Sequence, residues 1–424
     1  MEISAAVITI GDELLNGQVV NTNASFICAK LLEAGISADK IITVHDNEKD
    51  ILDEFRRTFP AYNITIVSGG LGPTHDDITK ACILKYFKSK LVLDKTVLKH
   101  VKSMFRRRKT AMPEGNLEQA MIPGISIALK NTGTAPGILI DKGGKVFCAL
   151  PGVPHEMKYI IEKSLLPYLR KKYKKRSGKN VIIQKTLHTV GISESLLFEK
   201  TGNIDEITLR RKNFNVSLAY LPHNFETRMR LTVKAADTVT AKKELNKAVK
   251  KLKERIGKYI YSYDESPLPK VIGALLKEKK LTLAVAESCT GGLISSKLTD
   301  IAGCSDYLID SVISYNNKAK TKFLGVKTTT LRKHGAVSRQ TAIEMAEGVR
   351  KRSGTDIGIS TTGIAGPAGG SKKKPVGLVW IGYSDKNITF AKDLYFTKDR
   401  LRNKEIMSKM ALEILRRMLL KINV

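Results

Sequence analysis

Apolar and polar positions in about the first 170 residues follow two periods, one typical of strands and one typical of helices. The runs AAVITI, NITIVSGG, GILID and KVFCALPG are short, apolar and bounded by polar or glycine-rich segments, which predicts buried strands. Apolar residues recur at helical spacing over 24–34, 78–87 and 96–107, which predicts helices. Strands that alternate with helices are typical of a parallel sheet covered by helices on both faces.

Two further blocks follow the basic segment RKKYKKRSGKN. In the first, VIIQKTLHTV, NVSLAYLP and TRMRLTVKAA alternate sides as strands do, and a helix is predicted over about 240–256 with Leu245, Val249 and Leu252 on one face. In the second, LTLAVAES, DYLIDSVISY, DIGISTTG and VGLVWIGYS predict the strands of another mixed α/β unit.

The length of 424 residues fits this division, because one hydrophobic core rarely serves more than about 250–300 residues. We therefore predict an α/β protein of three domains. A parallel-sheet domain is predicted at 1–172, a small α+β domain at 180–262 and a second α/β domain at 267–424.

The composition is that of a soluble globular protein, with 42% hydrophobic and 27% charged residues. No apolar run approaches the roughly 20 residues of a membrane-spanning helix, and MEISAAVITIGDE predicts a buried strand rather than a signal peptide. We expect a cytoplasmic protein with no membrane partner. The five cysteines are scattered without a CxxC pair, which argues against a disulfide framework and a structural zinc site.

The formal net charge is +31, which by itself suggests a polyanionic partner. The basic residues form short, separated clusters, and no run interleaves them with aromatic residues, which are only 6% of the chain. We interpret the charge mainly as solvated surface. Nucleic acid is an alternative partner that this pattern does not favour.

Two loops of the first domain carry most of its polar candidates. Asp12 and Glu13 follow the first strand, and Asp76 and Asp77 follow the glycine-rich loop after the second. Such loops converge where parallel strands end, glycine amides bind phosphate, and paired carboxylates hold Mg²⁺ or a similar ion. The alternative is that Asp76 and Asp77 only cap a helix. The candidate phosphate ligands of the second loop are Gly69, Gly70, Gly72 and Thr74.

Four motifs in this region, GDELLNGQVVNTN, SGGLGPTHDDITK, NTGTAPGI and LPGVPHEM, resemble those of the competence/damage-inducible protein A (CinA) family in the family's order. The family's first domain is similar to molybdopterin-binding domains. The resemblance implies metal-dependent hydrolysis of ADP-ribose to AMP and ribose 5-phosphate. Asp76 or Asp77 would hold the divalent metal ion, and Asp12 and Glu13 would be further ligands or orient water. Retention of the fold for binding alone is the alternative.

The third domain offers a serine where a buried strand gives way to a glycine-containing turn and a helix. Ser288 would be exposed there, and the amides of Thr290, Gly291 or Gly292 could stabilise an oxyanion. The alternative is that Ser288 is only a helix N-cap. The neighbouring Cys289 is predicted to be a small buried hydrophobic residue rather than a nucleophile.

A serine nucleophile needs a base, and the third domain has a single histidine, His334, in a loop-like segment. A Ser-His-Asp triad is therefore poorly supported. Lys320 is the other candidate base, provided that burial lowers its pKa, and Tyr315 could donate a hydrogen bond or relay a proton. The alternative for Lys320, in a chain this rich in lysine, is a solvated surface residue.

The segments AESCTGG, SYNNKAK, GAVS, TTGIAGPAGG and KPVG resemble the nicotinamide mononucleotide deamidase domain of CinA-type proteins. The resemblance implies a serine amidohydrolase without a cofactor, with Ser288 as nucleophile, Lys320 as general base and nicotinate mononucleotide and ammonia as products. Small-molecule nucleotides are the implied partners, and a homodimer is the implied assembly. It further implies substrate contacts at Tyr315, Thr362, Gly363, Gly366 and Arg400. The residue two before Arg400 is Lys398, where the family often has glycine, so the resemblance does not determine the shape of this loop.

Two other functions remain open from the sequence. One is a non-catalytic nucleotide- or DNA-binding adaptor in competence or recombination. The middle domain could serve it as a KH-type module, although it has no clear Gly-x-x-Gly loop, and a spacer or dimerisation domain is the alternative. The other is a molybdenum-cofactor transferase, suggested only by the first domain.

Overall fold

The computed structural model describes residues 3–74, 77–113, 115–173, 181–223 and 226–423. The chain divides into two compact units, Met1–Ile183 with Lys234–Ala241 and Gln184–Val233 with Lys242–Val424. Within these residues, helices and several sheets form a mixed α/β protein, as predicted. No helix of the described residues has the length and apolarity needed to cross a membrane.

The N-terminal domain is built on a six-stranded sheet with helices on both faces. The sheet order is β2-β1-β3-β8-β7-β6, and a separate two-stranded sheet pairs β4 with β5. Separate hydrophobic cores lie under the helices of each face. The strands are β1 (Ser4–Ile10), β2 (Ser37–Val44), β3 (Ile64–Ser68), β4 (Leu91–Leu93), β5 (Met121–Pro123), β6 (Ile127–Leu129), β7 (Gly137–Lys142) and β8 (Lys145–Leu150). The helices are α1 (Asp12–Leu15), α2 (Thr22–Glu33), α3 (Glu48–Ala61), α4 (Thr79–Phe87), α5 (Lys95–Arg108), α6 (Gly115–Glu118), α7 (Pro154–Ile160) and α8 (Leu166–Tyr173).

This sheet is parallel only in part. β2, β1, β3 and β8 run parallel, whereas β7 and β6 are antiparallel additions at one edge. The cause is the tight connection between β7 and β8, where Gly143 and Gly144 have φ of 60° and 78°. Two consecutive positive φ angles produce a two-residue hairpin, so β7 pairs antiparallel with β8. The predicted parallel sheet is formed by β2, β1, β3 and β8.

The middle domain has a four-stranded sheet in the order β10-β11-β9-β12. Its long helix buries Leu245 and Leu252, as predicted, while Val249 is only partly buried. The remaining buried positions follow the same helical spacing, which explains why the periodicity found this helix. The elements are β9 (Val181–Val190), α9 (Glu194–Thr201), β10 (Phe214–His223), β11 (Glu226–Ala235), α10 (Thr238–Ile256) and β12 (Ile260–Ser262).

The C-terminal domain has a five-stranded sheet in the order β14-β13-β15-β16-β17. β14, β13 and β15 are parallel, and β16 and β17 are antiparallel to their neighbours. The strands are β13 (Leu283–Glu287), β14 (Leu308–Ile313), β15 (Ile357–Gly363), β16 (Leu378–Ser384) and β17 (Thr389–Tyr395). The helices are α11 (Leu268–Lys279), α12 (Leu293–Thr299), α13 (Asn317–Leu324), α14 (Thr328–His334), α15 (Arg339–Ser353) and α16 (Arg400–Leu419).

Candidate active site

A serine and a lysine meet where the parallel strands of the C-terminal sheet end. Ser288 follows β13 directly, and its amide donates a 3.0 Å hydrogen bond to the carbonyl of Thr361 on β15. Lys320 lies on α13, the helix after β14, and its Nζ is 2.9 Å from Ser288 Oγ. Parallel pairing of β13 with β14 brings the following segments to the same edge, so two residues 32 positions apart come into hydrogen-bond contact.

Lys320 is buried and lacks an ionic partner among the described residues. Its side chain is 1% exposed, and its Nζ donates to the carbonyl of Ser314 at 2.7 Å as well as to Ser288. Burial lowers the pKa of Lys320 to about 8, because the charged form loses its hydration. The interpretation of Lys320 as a solvated surface lysine was therefore wrong.

A buried glutamate shapes the turn that follows Ser288. Glu287, the last residue of β13, is fully buried, and its carboxylate accepts hydrogen bonds from the first amides of α12. The cap position of α12 is Gly292, which has no side chain to offer. Ser288 is therefore not an N-cap, and that alternative was wrong. The sequence carried one signal for Glu287, an acidic residue ending the otherwise apolar strand LTLAVAE.

The turn leaves one of the three predicted oxyanion amides without an acceptor. The amide of Gly291 donates to the Ser288 carbonyl at 3.2 Å, and the amide of Gly292 donates to Glu287 at 2.9 Å. Within the described residues, the Thr290 amide has no hydrogen-bond partner, while its hydroxyl shares a 2.7 Å hydrogen bond with Thr361. Thr290 is fully buried, however, so its amide is not accessible to a substrate, and the amides of Gly291 and Gly292 already have acceptors.

The cysteine beside the nucleophile is part of the core. Cys289 is 5% exposed, and burial raises the pKa of its thiol to about 12. A thiol is nucleophilic only as the thiolate, so this residue stays unreactive near neutral pH. Its prediction as a small buried hydrophobic residue is confirmed.

Ser288 and Lys320 open onto a cavity of about 260 Å³. Among the described residues, the predicted oxyanion donors Thr290, Gly291 and Gly292 and the histidine His334 do not line it. The lining residues are Ser288, Cys289, Tyr315, Lys320, Ala336, Val337, Thr362, Gly363, Ile364, Ala365, Gly366, Ala368, Gly369 and Arg400.

An arginine and a tyrosine bridge the cavity mouth. Arg400, the first residue of α16, donates to the Gly366 carbonyl at 2.9 Å and to the Tyr315 hydroxyl at 2.6 Å. Tyr315 is 60% exposed, and it is its backbone carbonyl, at 3.4 Å, that reaches Lys320 Nζ. In this arrangement the phenol holds the entrance together rather than relaying a proton to the base.

The small residues of TTGIAGP are required by the fold itself. A Cβ on Gly363 would meet the Leu378 carbonyl at 2.7 Å, and one on Gly366, which has φ of +92°, would meet the Lys398 carbonyl at 2.8 Å. The Thr362 hydroxyl donates to the Ala336 carbonyl at 2.7 Å and so fixes the facing loop. Packing therefore accounts for these residues without the close approach of a nucleotide.

A second cavity, of about 400 Å³, lies at the strand ends of the N-terminal domain. Glu13 and Asp77 line it together with the glycines predicted from the sequence, Gly69, Gly70 and Gly72. Two further carboxylates, Asp46 and Glu156, also line it and were not singled out from the sequence, although Glu156 lies in the motif LPGVPHEM.

The remaining N-terminal candidates are placed differently. Asp12 does not line this cavity, and its carboxylate hydrogen-bonds His45 Nδ1 at 2.8 Å. Asp77 accepts the Thr74 amide at 3.0 Å and so closes the loop before α4. The cap position of α4 is Ile78, so Asp77 is not that helix's cap. Asp76 lies outside the described residues.

The described residues do not by themselves assemble a metal centre. No group of three or more His, Cys, Asp or Glu side chains within them is arranged to hold a metal ion. Of the carboxylates lining the N-terminal cavity, Asp77 is engaged by Thr74, and Glu156 accepts a hydrogen bond from Asn131. A divalent ion in this domain therefore stays a prediction, and no chemical step is derived through it.

Family models match all three parts of the chain. A probable molybdopterin binding domain matches residues 6–171, a damage-inducible protein CinA KH domain matches 184–262, and a CinA C-terminal domain matches 265–419. The KH match covers the middle domain even though its sequence has no clear Gly-x-x-Gly loop.

Relatives of known name match over almost the whole length. A CinA-like protein from Kosmotoga olearia is 42% identical over 419 residues, covering 99% of each chain. A CinA-like protein from Chloroherpeton thalassium is 42% identical over 424 residues, covering 98% of this chain and 99% of that one. The solved structure of a competence/damage inducible protein from Agrobacterium tumefaciens is 41% identical and covers 35% of this chain and 92% of that chain, with a TM-score of 0.35. Identity of this extent over full-length relatives establishes that this chain belongs to the CinA family.

Proposed function

We propose that the C-terminal domain is an amidohydrolase that converts nicotinamide mononucleotide to nicotinate mononucleotide and ammonia, with Ser288 as nucleophile and Lys320 as general base. The observation that carries the proposal is the 2.9 Å contact between Lys320 Nζ and Ser288 Oγ at the wall of a cavity. Burial keeps the pKa of Lys320 near neutrality, which is where a general base is effective. We infer the identity of the substrate from the resemblance of AESCTGG and the neighbouring motifs to the deamidase domain.

Acylation begins with neutral Lys320. Its amine takes the Ser288 hydroxyl proton while Oγ attacks the carboxamide carbon, and the carbonyl oxygen becomes an oxyanion. When the intermediate collapses, the C–N bond breaks, and the Lys320 ammonium returns its proton to the leaving nitrogen. Ammonia departs and an ester to Ser288 remains.

Deacylation reverses these roles with water as nucleophile. Lys320 accepts a proton from water, hydroxide oxygen bonds to the ester carbon, and the C–O bond to Ser288 breaks as the proton returns to Oγ. The products are the free serine and nicotinic acid mononucleotide, whose carboxyl group releases the second proton of the water to solvent and becomes the carboxylate. Each step uses one base with a single proton, so no further acid is needed. We propose that this domain works without a cofactor.

The test is ammonia release from nicotinamide mononucleotide by the full chain with EDTA present. We expect turnover that falls at least about a hundredfold in Ser288→Ala and in Lys320→Ala. Matched controls are Ser296→Ala on α12, the helix after the turn of Ser288, and Lys318→Ala on α13, the helix of Lys320. Both change exposed residues and should retain turnover.

Three outcomes would count against the proposal. Absence of turnover by folded wild-type protein would refute it and favour the binding-adaptor alternative. Turnover that survives Ser288→Ala would refute the assigned nucleophile. Loss of turnover on chelation, with recovery on adding a divalent ion, would refute the cofactor-free mechanism.

A further inference from the structure

We propose that Glu287 is a positioning residue whose buried carboxylate holds the turn after Ser288 and thereby keeps this nucleophile in its reactive geometry. Its kinetic consequences rest on the proposed amidohydrolase activity. Its structural consequences rest only on hydrogen bonds within the C-terminal domain.

The carboxylate of Glu287 has a complete set of donors. One oxygen accepts the amides of Gly292 at 2.9 Å and Ile294 at 3.2 Å. The other accepts the amide of Ser295 at 2.9 Å and its hydroxyl at 2.6 Å. An ionised carboxylate only accepts hydrogen bonds, so four donors converge on it without conflict, and the positive end of α12 adds to its stability. The buried carboxyl group, which has no lysine or arginine partner in the described chain, thereby has a hydrogen-bond donor for each oxygen.

The backbone of Glu287 connects the nucleophile to the segment that holds the base. Its carbonyl accepts the amide of Ser314 at 2.8 Å, and the Ser314 carbonyl in turn accepts Lys320 Nζ at 2.7 Å. The side chain of Glu287 thus fixes the turn on one side of the cavity, and its main chain fixes the lysine on the other. This residue lines no part of the cavity and acts only through its neighbours.

Replacing this carboxylate by an amide would disrupt the turn. A glutamine at position 287 has one oxygen and one NH₂ group in place of two oxygens. The NH₂ group is itself a donor, so the two donors that face it would lose their acceptor. Hydrogen exchange would become faster at the amides that now donate to this carboxylate, those of Gly292, Ile294 and Ser295. Ser288 would no longer be fixed relative to Lys320. Because Ser288 attacks in the chemical step, after the substrate has bound, the loss should appear in kcat and leave KM unchanged.

The experiment combines kinetics with amide hydrogen exchange on the full chain. For Glu287→Gln we expect faster exchange in the segment 288–296 and a kcat for nicotinamide mononucleotide lowered at least about tenfold, with KM within about twofold of wild type. Glu278→Gln, at an exposed position on α11, is the matched control and should change neither. Ser295→Ala removes a single donor and should give a smaller effect of the same kind, about threefold on kcat.

A folded Glu287→Gln protein with unchanged kcat would overturn the proposal, whatever its exchange rates. If Glu287→Gln does not fold, the same measurements are made on Ser295→Ala. Unchanged exchange and unchanged kcat in Ser295→Ala would then overturn the proposal. The wild-type protein could also fail to act on nicotinamide mononucleotide while Glu287→Gln shows faster exchange in the segment 288–296. That combination would support the structural role of Glu287 and refute the proposed substrate.

Discussion

Burial of the Lys320 ammonium should make the stability of the C-terminal domain depend on pH in a way that one substitution removes. Burial lowers the pKa of Lys320 to about 8, whereas lysine in an unfolded chain titrates near about 10.4. Between these values the unfolded chain binds a proton that the folded chain does not, so folding is favoured as pH rises. Below the folded value both states are protonated, and the full cost of the buried charge, roughly 3 kcal/mol, is present. Lys320→Met has no group to titrate at this position and should lose this dependence.

The chain offers a convenient probe for this measurement. Its single tryptophan, Trp380, lies on β16, so tryptophan fluorescence during urea unfolding reports on the C-terminal domain. The difference in unfolding free energy between wild type and Lys320→Met should shift in favour of wild type by about 2 kcal/mol from pH 7 to pH 9.5. Lys318→Met, which changes an exposed lysine of the same helix, should track the wild-type curve.

The sign of the shift is the decisive result. Parallel curves for wild type and Lys320→Met over this range would mean that Lys320 keeps an ordinary pKa and that the site is far wetter than its 1% exposure implies. A wild-type protein that loses stability relative to the variant as pH rises would mean that the ammonium has a stabilising partner. Either result would remove the electrostatic basis for Lys320 as the general base.

Three further predictions concern activity. The kcat/KM for nicotinamide mononucleotide should rise with pH to a plateau with a midpoint near about 8, since neutral Lys320 is the reactive form; a flat profile from pH 6 to 9 would contradict this. Arg400→Ala should raise KM about tenfold and leave kcat within about threefold, because the guanidinium lies at the cavity mouth and does not contact Ser288 or Lys320; a loss confined to kcat would contradict its placement. If the N-terminal domain hydrolyses ADP-ribose with Mg²⁺, Glu13→Gln should lower the rate at least about tenfold and Asp12→Asn less than about threefold. The reason is that Glu13 lines the cavity and Asp12 does not, and equal losses would refute that distinction.

Regular periodicity made the helices and strands predictable from sequence. The helix predicted over about 240–256 is α10, and the strand predicted in LTLAVAES is β13, because apolar spacing alone specifies a buried face. The antiparallel edge of the N-terminal sheet was missed although Gly143 and Gly144 mark a two-residue hairpin. Two strands separated by such a turn pair with each other, and this local signal outweighs the general expectation of parallel strands in a βα pattern.

The site was harder to predict than the fold, because burial of a charged residue leaves little trace in sequence. Lys320 is one of 72 basic residues, and only the pairing of β13 with β14 reveals that it lies beneath Ser288. Glu287 was overlooked for a related reason, since its function depends on three amides of a helix that starts after it. Asp46 and Glu156 reach the N-terminal cavity from separate loops, so no spacing rule connects them.

The unpaired ammonium beneath the nucleophile also has a consequence for what leaves the site. Hydrolysis of an amide there would replace a neutral carboxamide with an anionic carboxylate next to Lys320, whose Nζ lies 2.9 Å from the acylated oxygen. At pH 7 most of the lysine is charged, so the product should be bound more tightly than the substrate, and the preference should fade as pH rises past about 8. Because the base is buried, we expect product inhibition that is strongest in mildly acidic solution.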